Sequence, residues 1–406
     1  MQLSHSSQFQ LVEDNQIYCY EDLQVIADKN VPFASSESAL FIKGSSVKSI
    51  LIGIIAALKH KCSIYLIRDF SNLPQEAKSM NADWLLRHNI SEQDHKGVIW
   101  LQTSGTSGRP KWLAHNPNDL ISAIAPGSKR VTWMLSFQPA SFAGLQVILS
   151  AVSGGHKLIC PNPNSTPSEF VQLVSKHNIT HMSGTPTFWR SFLRASFNSN
   201  FALEQITLGG EVADQATLNT LSERFSNASI RHIYATTELG VVFTVKDGKA
   251  GFPTSWFGEN LTNRVKLSLS DNNTLLITGP RASLNHKDKV WDTQDVVSVE
   301  GGRAYFKGRA DSLINVGGSK VFPEEVESHL LQLPCISDVV VTAQPNPITG
   351  YILIADVVPN KQVDEFEIRK QINDHLQALP RYARPALLRF KDQFSFSATG
   401  KKSRQL

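Results

Sequence analysis

Cysteine is scarce in this chain, and no two cysteines stand at the spacing of a metal site or a redox motif. Only four occur among 406 residues, at Cys19, Cys62, Cys160 and Cys335. Neither a zinc site nor a disulfide framework is therefore expected, and reduced thiols in a cytoplasm fit this usage.

The chain also lacks a strong excess of charge, a signal peptide and a long apolar run. Its 40 basic and 36 acidic residues leave a net charge of +4, which is too small to indicate a nucleic-acid partner. The first eight residues have neither the basic nor the apolar region of a signal peptide. The longest apolar run, residues 50–58, is too short to span a bilayer, and we expect it to form a buried helix. A soluble, cytoplasmic protein of two or three domains is predicted, with no membrane span.

What the chain does have is a segment of glycine and hydroxyl residues that ends in a lysine. It reads Thr103, Ser104, Gly105, Thr106, Ser107, Gly108, Arg109, Pro110, Lys111. Glycines let backbone N–H groups approach phosphate oxygens, hydroxyls add donors, and the lysine supplies positive charge. The spacing is not that of a P-loop, because Pro110 precedes the lysine and Trp112 follows it. The segment predicts a polyanion-binding loop after a buried strand, and the alternative is an ordinary polar turn.

Strand-like apolar runs alternate with helical patterns between residues 50 and 240. The predicted strands are residues 63–67, 98–103, 132–137, 156–160, 206–209 and 230–234, and the predicted helices are 168–177, 186–195 and 213–225. Such alternation is typical of βαβ units, so we expect an α/β fold with a largely parallel sheet.

The pattern changes after residue 260. Hairpin-like pieces at 266–278 and 296–307 predict a small β unit. The last hundred residues predict a compact α+β domain, with helices at 323–331 and 365–376 and strands at 338–342 and 351–357. We therefore divide the chain into an N-terminal domain of residues 1–310 and a C-terminal domain of residues 311–406.

Three further motifs follow the glycine-rich loop. They are Tyr234-Ala235-Thr236-Thr237-Glu238, Gly308-Arg309-Ala310-Asp311 and Ser397-Ala398-Thr399-Gly400-Lys401. With the loop, and in this order, they resemble the signature motifs of the adenylate-forming superfamily of acyl-CoA synthetases, peptide-synthetase adenylation domains and luciferases. Ser107 replaces the second threonine of the family's Ser-Gly-Thr-Thr-Gly loop. The chain resembles o-succinylbenzoate-CoA ligases in particular, through its compact length and through residues 186–189 and 402–406.

The resemblance implies that the large domain binds ATP and the acyl substrate while a small, mobile C-terminal domain carries the catalytic lysine. Lys401 would neutralise charge that builds up when a carboxylate attacks the α-phosphate. Thr237 would donate to that phosphate and Glu238 would hold Mg²⁺. The implied ATP-binding residues are Thr103, Ser104, Gly105, Thr106, Ser107, Gly108, Lys111, Gly209, Gly210, Glu211, Tyr234, Ala235, Thr236, Asp295 and Arg309.

The resemblance gives some of these residues a more specific role. Tyr234 would stack on adenine, and Asp295 would accept the ribose hydroxyls, although Gln294 replaces the family's glycine before it. Asp311 corresponds to the hinge of the mobile domain. Gly317 and Gly318 would line the passage of the CoA or pantetheine arm.

The chain departs from the family pattern at two places. Its segment before the glycine-rich loop is shorter than in most relatives, and residues 137–144 lack the histidine that many members carry. Ser141 or Phe142 would fill that space. With Thr185 and Val241 they would form an acyl pocket suited to an aromatic or acyl carboxylate, and the absence of an acidic residue placed to meet an amino group disfavours amino-acid activation.

The expected activity is that of an AMP-forming acyl- or aryl-CoA ligase, which uses ATP, Mg²⁺, CoA and a small carboxylate. One alternative is a stand-alone adenylation enzyme that loads the phosphopantetheine of an acyl carrier protein. A second alternative is a non-catalytic module that binds a nucleotide or an acyl-adenylate.

Overall fold

The computed structural model describes residues 6–31, 38–67, 78–79, 84–87, 97–102, 111–117, 120, 129–259, 261, 265–279, 289–360 and 364–394. The loop residues Thr103 to Gly108 and the terminal Lys401 lie outside this part of the chain. Their assigned roles therefore stay predictions.

Twenty-four strands and eight α-helices occur in the described residues. In chain order the strands are β1 (Gln10–Glu13), β2 (Gln16–Cys19), β3 (Ala39–Lys43), β4 (Ser63–Ile67), β5 (Lys78–Ser79), β6 (Trp84–Arg87), β7 (Ile99–Gln102), β8 (Trp112–His115), β9 (Thr132–Leu135), β10 (Lys157–Ile159), β11 (His181–Gly184), β12 (Gln205–Gly209), β13 (Ser229–Thr236), β14 (Gly240–Val245), β15 (Phe252–Pro253), β16 (Lys266–Leu269), β17 (Thr274–Thr278), β18 (Trp291–Glu300), β19 (Arg303–Arg309), β20 (Ile314–Val316), β21 (Ser319–Val321), β22 (Ile336–Asn346), β23 (Gly350–Pro359) and β24 (Leu387–Phe390). The helices are α1 (Tyr20–Asn30), α2 (Val47–His60), α3 (Phe142–Ser153), α4 (Pro167–His177), α5 (Pro186–Ala195), α6 (Gln215–Arg224), α7 (Pro323–Leu330) and α8 (Glu365–His375).

These strands form four sheets, of which the largest has the order β14-β13-β12-β11-β9-β10-β1-β2. Its six central strands, from β13 to β1, are parallel neighbours. A six-stranded sheet has the order β5-β6-β3-β4-β7-β8, and a five-stranded antiparallel sheet has the order β15-β19-β18-β17-β16. The fourth sheet has the order β21-β20-β23-β22, with β24 beside β23. The predicted α/β class and the small β unit are confirmed.

Strand β9 is a switch point of the largest sheet. The next strand in sequence, β10, pairs with one side of β9, and the strand after that, β11, pairs with the other side. Because successive connections leave in opposite directions, a crevice forms at the carboxyl ends of these strands. Open α/β sheets bind their ligands in such crevices.

One face of this sheet packs into an apolar core with helices α4, α5 and α6. Met134, Met182, Ile206 and Leu208 project from successive strands into this core and are fully buried. The side chain of Trp189 in α5 is also fully buried, and its indole N–H donates to the carbonyl oxygen of Thr207 at 3.0 Å. These contacts hold the helices against one face and leave the opposite face for other contacts.

A buried arginine joins α5 to the C-terminal sheet. The guanidinium of Arg190 contacts the carboxylates of Asp214 at 2.9 Å and Asp338 at 3.0 Å, and all three side chains are at most 10% exposed. Burial opposes the charge of Arg190, but Asp338 and Asp214 outweigh it and raise the pKa of Arg190. Since Asp338 lies in β22, this ion pair fixes the C-terminal sheet against the large sheet.

Candidate functional site

A cleft of about 1970 Å³ runs along the largest sheet and includes the carboxyl ends of its parallel strands. All of the described residues that the sequence assigns to ATP or the acyl group line it. These are Lys111, Ser141, Phe142, Thr185, Gly209, Gly210, Glu211, Tyr234, Ala235, Thr236, Thr237, Glu238, Val241, Asp295 and Arg309. Residues that are far apart in sequence therefore meet at one site.

The parallel strands place several of these residues side by side. Thr185 follows β11, Gly210 follows β12, and Thr237 and Glu238 follow β13. The carboxyl ends of neighbouring parallel strands lie at the same edge, so these positions share one rim of the cleft. The hydroxyl of Thr236 accepts from the backbone N–H of Leu239 at 3.1 Å, which closes the turn that carries Thr237 and Glu238.

The opposite wall of the cleft is built by the antiparallel sheet. The hydroxyl of Tyr234 donates to the carboxylate of Asp295 in β18, and the guanidinium of Arg309 in β19 lies 3.6 Å from the same carboxylate. Burial, and then the charge of Asp295, raise the pKa of Tyr234 well above its usual value. Tyr234 therefore stays protonated and donates.

The ring of Tyr234 already has aromatic neighbours. It stacks on Phe243 and on Phe306, with ring centroids 5.2 Å and 5.0 Å apart. These contacts occupy ring surface that the sequence analysis assigns to adenine. Stacking of adenine on Tyr234 stays a prediction, whereas the link from its hydroxyl to Asp295 is present in the structure.

Several of the assigned polar residues also cap helices. The hydroxyl of Thr185 accepts from the backbone N–H of Phe188 at 3.0 Å and caps α5. The carboxylate of Glu211 accepts from the backbone N–H and the hydroxyl of Thr187, at 3.1 Å and 2.6 Å. Ser141 caps α3 by accepting from the N–H of Gly144 at 3.0 Å. These bonds stabilise the helix starts around the cleft, which gives each residue a structural role beside its predicted one.

Asp311, Gly317 and Gly318 do not line the cleft in this structure. Asp311 accepts from Arg309 at 3.0 Å, in the short connection between β19 and β20. Gly317 and Gly318 form the two-residue turn between β20 and β21, with φ angles of 58° and 87°. A turn with two positive φ angles favours glycine by itself, so the hairpin alone accounts for the pair. Their roles as hinge and passage stay predictions.

His115 lies against the site and was missed in the sequence analysis. It ends β8, it is 3% exposed, and its ring hydrogen-bonds the backbone of Thr237. Its Nε2 is buried and has no hydrogen-bond partner in the part of the chain that the structure describes. The antiparallel pair of β7 and β8, between which the glycine-rich segment lies in sequence, therefore reaches the carboxyl end of β13. In the sequence, the signal that could have pointed to His115 is its position four residues after Lys111.

Glu238, just after β13, is the acidic residue that the resemblance assigns to Mg²⁺. No group of three or more His, Cys, Asp or Glu side chains suited to a metal ion occurs among the described residues. Mg²⁺ binds through one or two carboxylates together with substrate phosphates and water, so a single carboxylate fits this ion.

Comparison with known proteins identifies the family. The family model for AMP-binding enzymes matches residues 32–272, which is more than half of the chain. This chain belongs to the AMP-binding enzyme family. The model for the AMP-binding enzyme C-terminal domain matches residues 325–401.

The chain is similar to curated AMP-binding enzymes with different acceptors. It is 25% identical over 349 residues to a human mitochondrial acyl-coenzyme A synthetase, an alignment that spans 76% of this chain and 60% of that protein. It is 25% identical over 346 residues to a D-alanine–D-alanyl carrier protein ligase of Staphylococcus aureus, spanning 77% of this chain and 71% of that protein. The chain thus covers less than two thirds of the human relative.

Solved structures of AMP-binding enzymes share the fold. An anthranilate CoA ligase in complex with anthranoyl-AMP superposes with a TM-score of 0.77 at 16% identity, over 98% of this chain and 93% of that one. The o-succinylbenzoate CoA synthetase of Bacillus subtilis with its acyl-adenylate intermediate gives a TM-score of 0.70 at 17% identity, over 98% and 94%. At these identities the likeness shows the architecture of a large and a smaller domain.

No helix in the described part of this AMP-binding enzyme is both long and apolar enough to cross a membrane.

The replacement of the family's glycine by Gln294 leaves a strained backbone beside Asp295. Gln294 has a φ angle of 62°, in the left-handed region, and its side chain is exposed. We expect Gln294→Gly to raise the free energy of unfolding by about 0.5–1 kcal/mol, because glycine adopts this conformation without strain. Asn273→Gly is the matched control, since Asn273 has a φ angle of 59° and asparagine tolerates it. Denaturant titration should show the larger gain at residue 294, and an equal gain at both would contradict the explanation.

The buried His115 makes the stability of the fold sensitive to acid. Burial lowers the pKa of His115 to about 4 from a usual value of 6.5. The imidazole of His115 therefore takes up a proton at higher pH in the unfolded chain than in the folded chain. The contribution of the neutral ring to the free energy of unfolding is complete above about pH 6.5 and is lost as pH falls towards 4. We expect about 2 kcal/mol of this loss between pH 7 and pH 5. The free energy of unfolding of His115→Asn should fall less over this range, and an unchanged pH slope would contradict the prediction.

Proposed function

We propose that this AMP-binding enzyme is an ATP- and Mg²⁺-dependent ligase that activates a carboxylate and transfers the acyl group to CoA. In the first step the carboxylate oxygen attacks the α-phosphorus of ATP, the bond to the β-phosphate oxygen breaks, and pyrophosphate leaves. In the second step the thiol of CoA gives up its proton to solvent, its sulfur attacks the acyl carbon, the bond from that carbon to the phosphate oxygen breaks, and AMP leaves with the electron pair of that bond.

The meeting of Tyr234, Asp295 and Arg309 opposite Thr237 and Glu238 is the observation that carries this proposal. A carboxylate held by a tyrosine hydroxyl and facing a guanidinium is a strong acceptor for two vicinal ribose hydroxyls. The rim with Gly209 and Gly210 leaves the backbone open to a flat base, because glycine has no side chain to obstruct it. Thr237 would donate to the α-phosphate from the end of β13.

Magnesium would be held by Glu238 together with the phosphates of the nucleotide, and it would neutralise charge on the leaving pyrophosphate. Lys401 would supply the positive charge for the attacking oxygen.

A carrier protein is the second candidate acceptor. The similarity to the carrier protein ligase of Staphylococcus aureus supports it. A non-catalytic module is the weaker alternative, because the described residues of the motifs, except Ala310 and Asp311, converge on one cleft.

Pyrophosphate release tests the proposal. The protein is incubated with ATP, Mg²⁺ and a panel of aromatic and aliphatic carboxylates, each with and without CoA, and thioester is assayed in parallel. Release that depends on one acid, together with its CoA thioester, is expected. Acid-dependent release without any CoA thioester would overturn CoA as the acceptor, and no release with any acid would overturn adenylation itself.

A further inference from the structure

His115 joins two different sheets at the turn that carries Glu238. It is the last residue of β8, the edge strand of the six-stranded sheet, and its ring hydrogen-bonds the backbone of Thr237. Residues 237–239 connect β13 to β14 in the largest sheet, and we call them the motif turn. A bond from one sheet therefore ends on the turn of another sheet, at the residues that the resemblance assigns to the α-phosphate and to Mg²⁺.

The bond can be assigned to one nitrogen of the imidazole. Nε2 of His115 is buried and has no hydrogen-bond partner in the described residues, so Nδ1 makes the bond. Burial lowers the pKa of His115, and the bond to Thr237 acts in the opposite direction, as it does when a ring N–H donates to a carbonyl oxygen. Nδ1–H therefore donates to the backbone carbonyl of Thr237.

Apolar side chains surround the rest of this ring. His115 is 3% exposed, its ring centroid lies 5.9 Å from that of Phe142, and its partner in register on β7 is the buried Ile99. An apolar side chain would fill this space without an unpaired ring nitrogen, and an unpaired buried polar atom costs about 1–3 kcal/mol. Packing by itself therefore does not explain a histidine at this position, whereas the bond to Thr237 does.

The bond from His115 is one of two that hold the motif turn. The other is internal, since the hydroxyl of Thr236 accepts from the backbone N–H of Leu239 at 3.1 Å. The two bonds fix the carbonyl of Thr237 and the N–H of Leu239, which are the backbone groups on either side of Glu238. Thr237 and Glu238 themselves are half-buried and line the cleft. The direction of the Glu238 side chain thus depends on both anchors.

We propose that His115 is a positioning residue for the nucleotide and its magnesium ion. By holding the carbonyl of Thr237, it keeps the Glu238 carboxylate directed at Mg²⁺ bound to the ATP phosphates. This inference rests on the proposed function, in which Glu238 and the phosphates hold the ion together. It assigns a role to a buried side chain that lies behind the wall of the cleft.

Three variants of His115 separate its two nitrogens. His115→Asn keeps an N–H at the position of Nδ1 and lacks Nε2, His115→Gln places its amide at the position of Nε2 and lacks the Nδ1 donor, and His115→Leu lacks both. His375→Leu is the matched control, because Nε2 of His375 donates to the backbone carbonyl of His329 at 3.0 Å and His375 does not line the cleft. Thermal unfolding checks that each variant is folded, and the comparison of Asn with Gln decides the question if His115→Leu does not fold.

The main measurement is the gain in ATP affinity that Mg²⁺ produces. Calorimetry measures ATP binding with and without Mg²⁺, and the ratio of the two affinities gives this gain for each variant. A change of packing alone alters both affinities equally and leaves the ratio unchanged. The Mg²⁺ concentration at half-maximal pyrophosphate release is the second measurement, with the carboxylate that gives the fastest release.

We expect His115→Leu and His115→Gln to reduce the gain from Mg²⁺ by roughly 3- to 10-fold, which is the effect of one net hydrogen bond. The half-maximal Mg²⁺ concentration should rise by a similar factor. His115→Asn and His375→Leu should retain the gain within about twofold, because the bond to Thr237 is kept in both. An unchanged gain in His115→Leu and His115→Gln would overturn the inference. An equal loss in His115→Asn would also overturn it, since the ring itself or Nε2 would then be the group that matters.

The two proposals fail in different ways. Acid-dependent pyrophosphate release with the same gain from Mg²⁺ in the wild type and in His115→Gln would leave the ligase proposal standing and overturn the positioning role. A gain that is lost in His115→Gln and kept in His115→Asn, without pyrophosphate release from any acid, would support the positioning role and overturn the ligase.

Discussion

Replacement of Asp295 by asparagine is expected to lower kcat/KM for ATP by roughly 100-fold in the acid-dependent release of pyrophosphate. A hydrogen bond to a charged acceptor contributes about 1.5–3 kcal/mol, and this carboxylate would receive two of them from the ribose. The variant also removes the charge that faces Arg309 at 3.6 Å. Most of the loss should appear in KM for ATP, because the ribose contacts form on binding.

Asp292→Asn is the control for this experiment. Asp292 is an exposed carboxylate three residues earlier in β18, and it accepts from the backbone N–H of Gln294 at 2.9 Å. Its replacement should change kcat/KM by less than about threefold, as for most surface substitutions. Similar losses in the two variants would show that the local turn, rather than the Asp295 carboxylate, determines nucleotide binding.

Replacement of Lys401 by alanine is expected to lower the rate of adenylate formation by roughly 100- to 1,000-fold while ATP binding changes little. Removal of one group aimed at charge that develops in a transition state has an effect of this size. The assignment rests on the resemblance of residues 397–401 to the family's final motif, and the C-terminal family model extends through residue 401. Single-turnover formation of acyl-AMP measures the first step, and calorimetry measures ATP binding.

Lys402→Ala is the matched control, because it removes the same charge one residue away. It should retain adenylation within a few-fold. Equal losses in Lys401→Ala and Lys402→Ala would indicate that the terminal segment acts through its general charge. A normal rate in Lys401→Ala would refute the assigned role and direct attention to Lys111 on the rim of the cleft.

Much of the secondary structure could be predicted because the signals are local. The strand at Ser63–Ile67 and the helix at Pro186–Ala195 have the predicted bounds, and the apolar run at residues 50–58 lies inside α2. The two hairpins after residue 260 are confirmed, although the second begins five residues earlier, at Trp291. The domain boundary and the roles of the site residues stay predictions.

Helix α3 and strands β1, β2 and β3 were not predicted. Helix α3 is nearly all apolar, because it packs between two sheets, so its sequence lacks the alternation of polar and apolar faces on which helix prediction depends. The strands are only four or five residues long and owe their pairing to distant partners, such as Leu11 with Leu158. Such contacts leave little trace in the local pattern.

The sequence by itself determined the α/β class, the order of the motifs and the residue types available for phosphate, magnesium and ribose binding. These depend on side-chain chemistry and on the period of apolar residues, which are local properties of the chain. The tertiary structure decided which of them meet. It brought Tyr234, Asp295 and Arg309 together from three strands, and it turned Glu211 and Thr185 to the start of α5. Sheet pairing and helix packing join residues across long stretches of chain, and the free energy of those contacts depends on every partner at once.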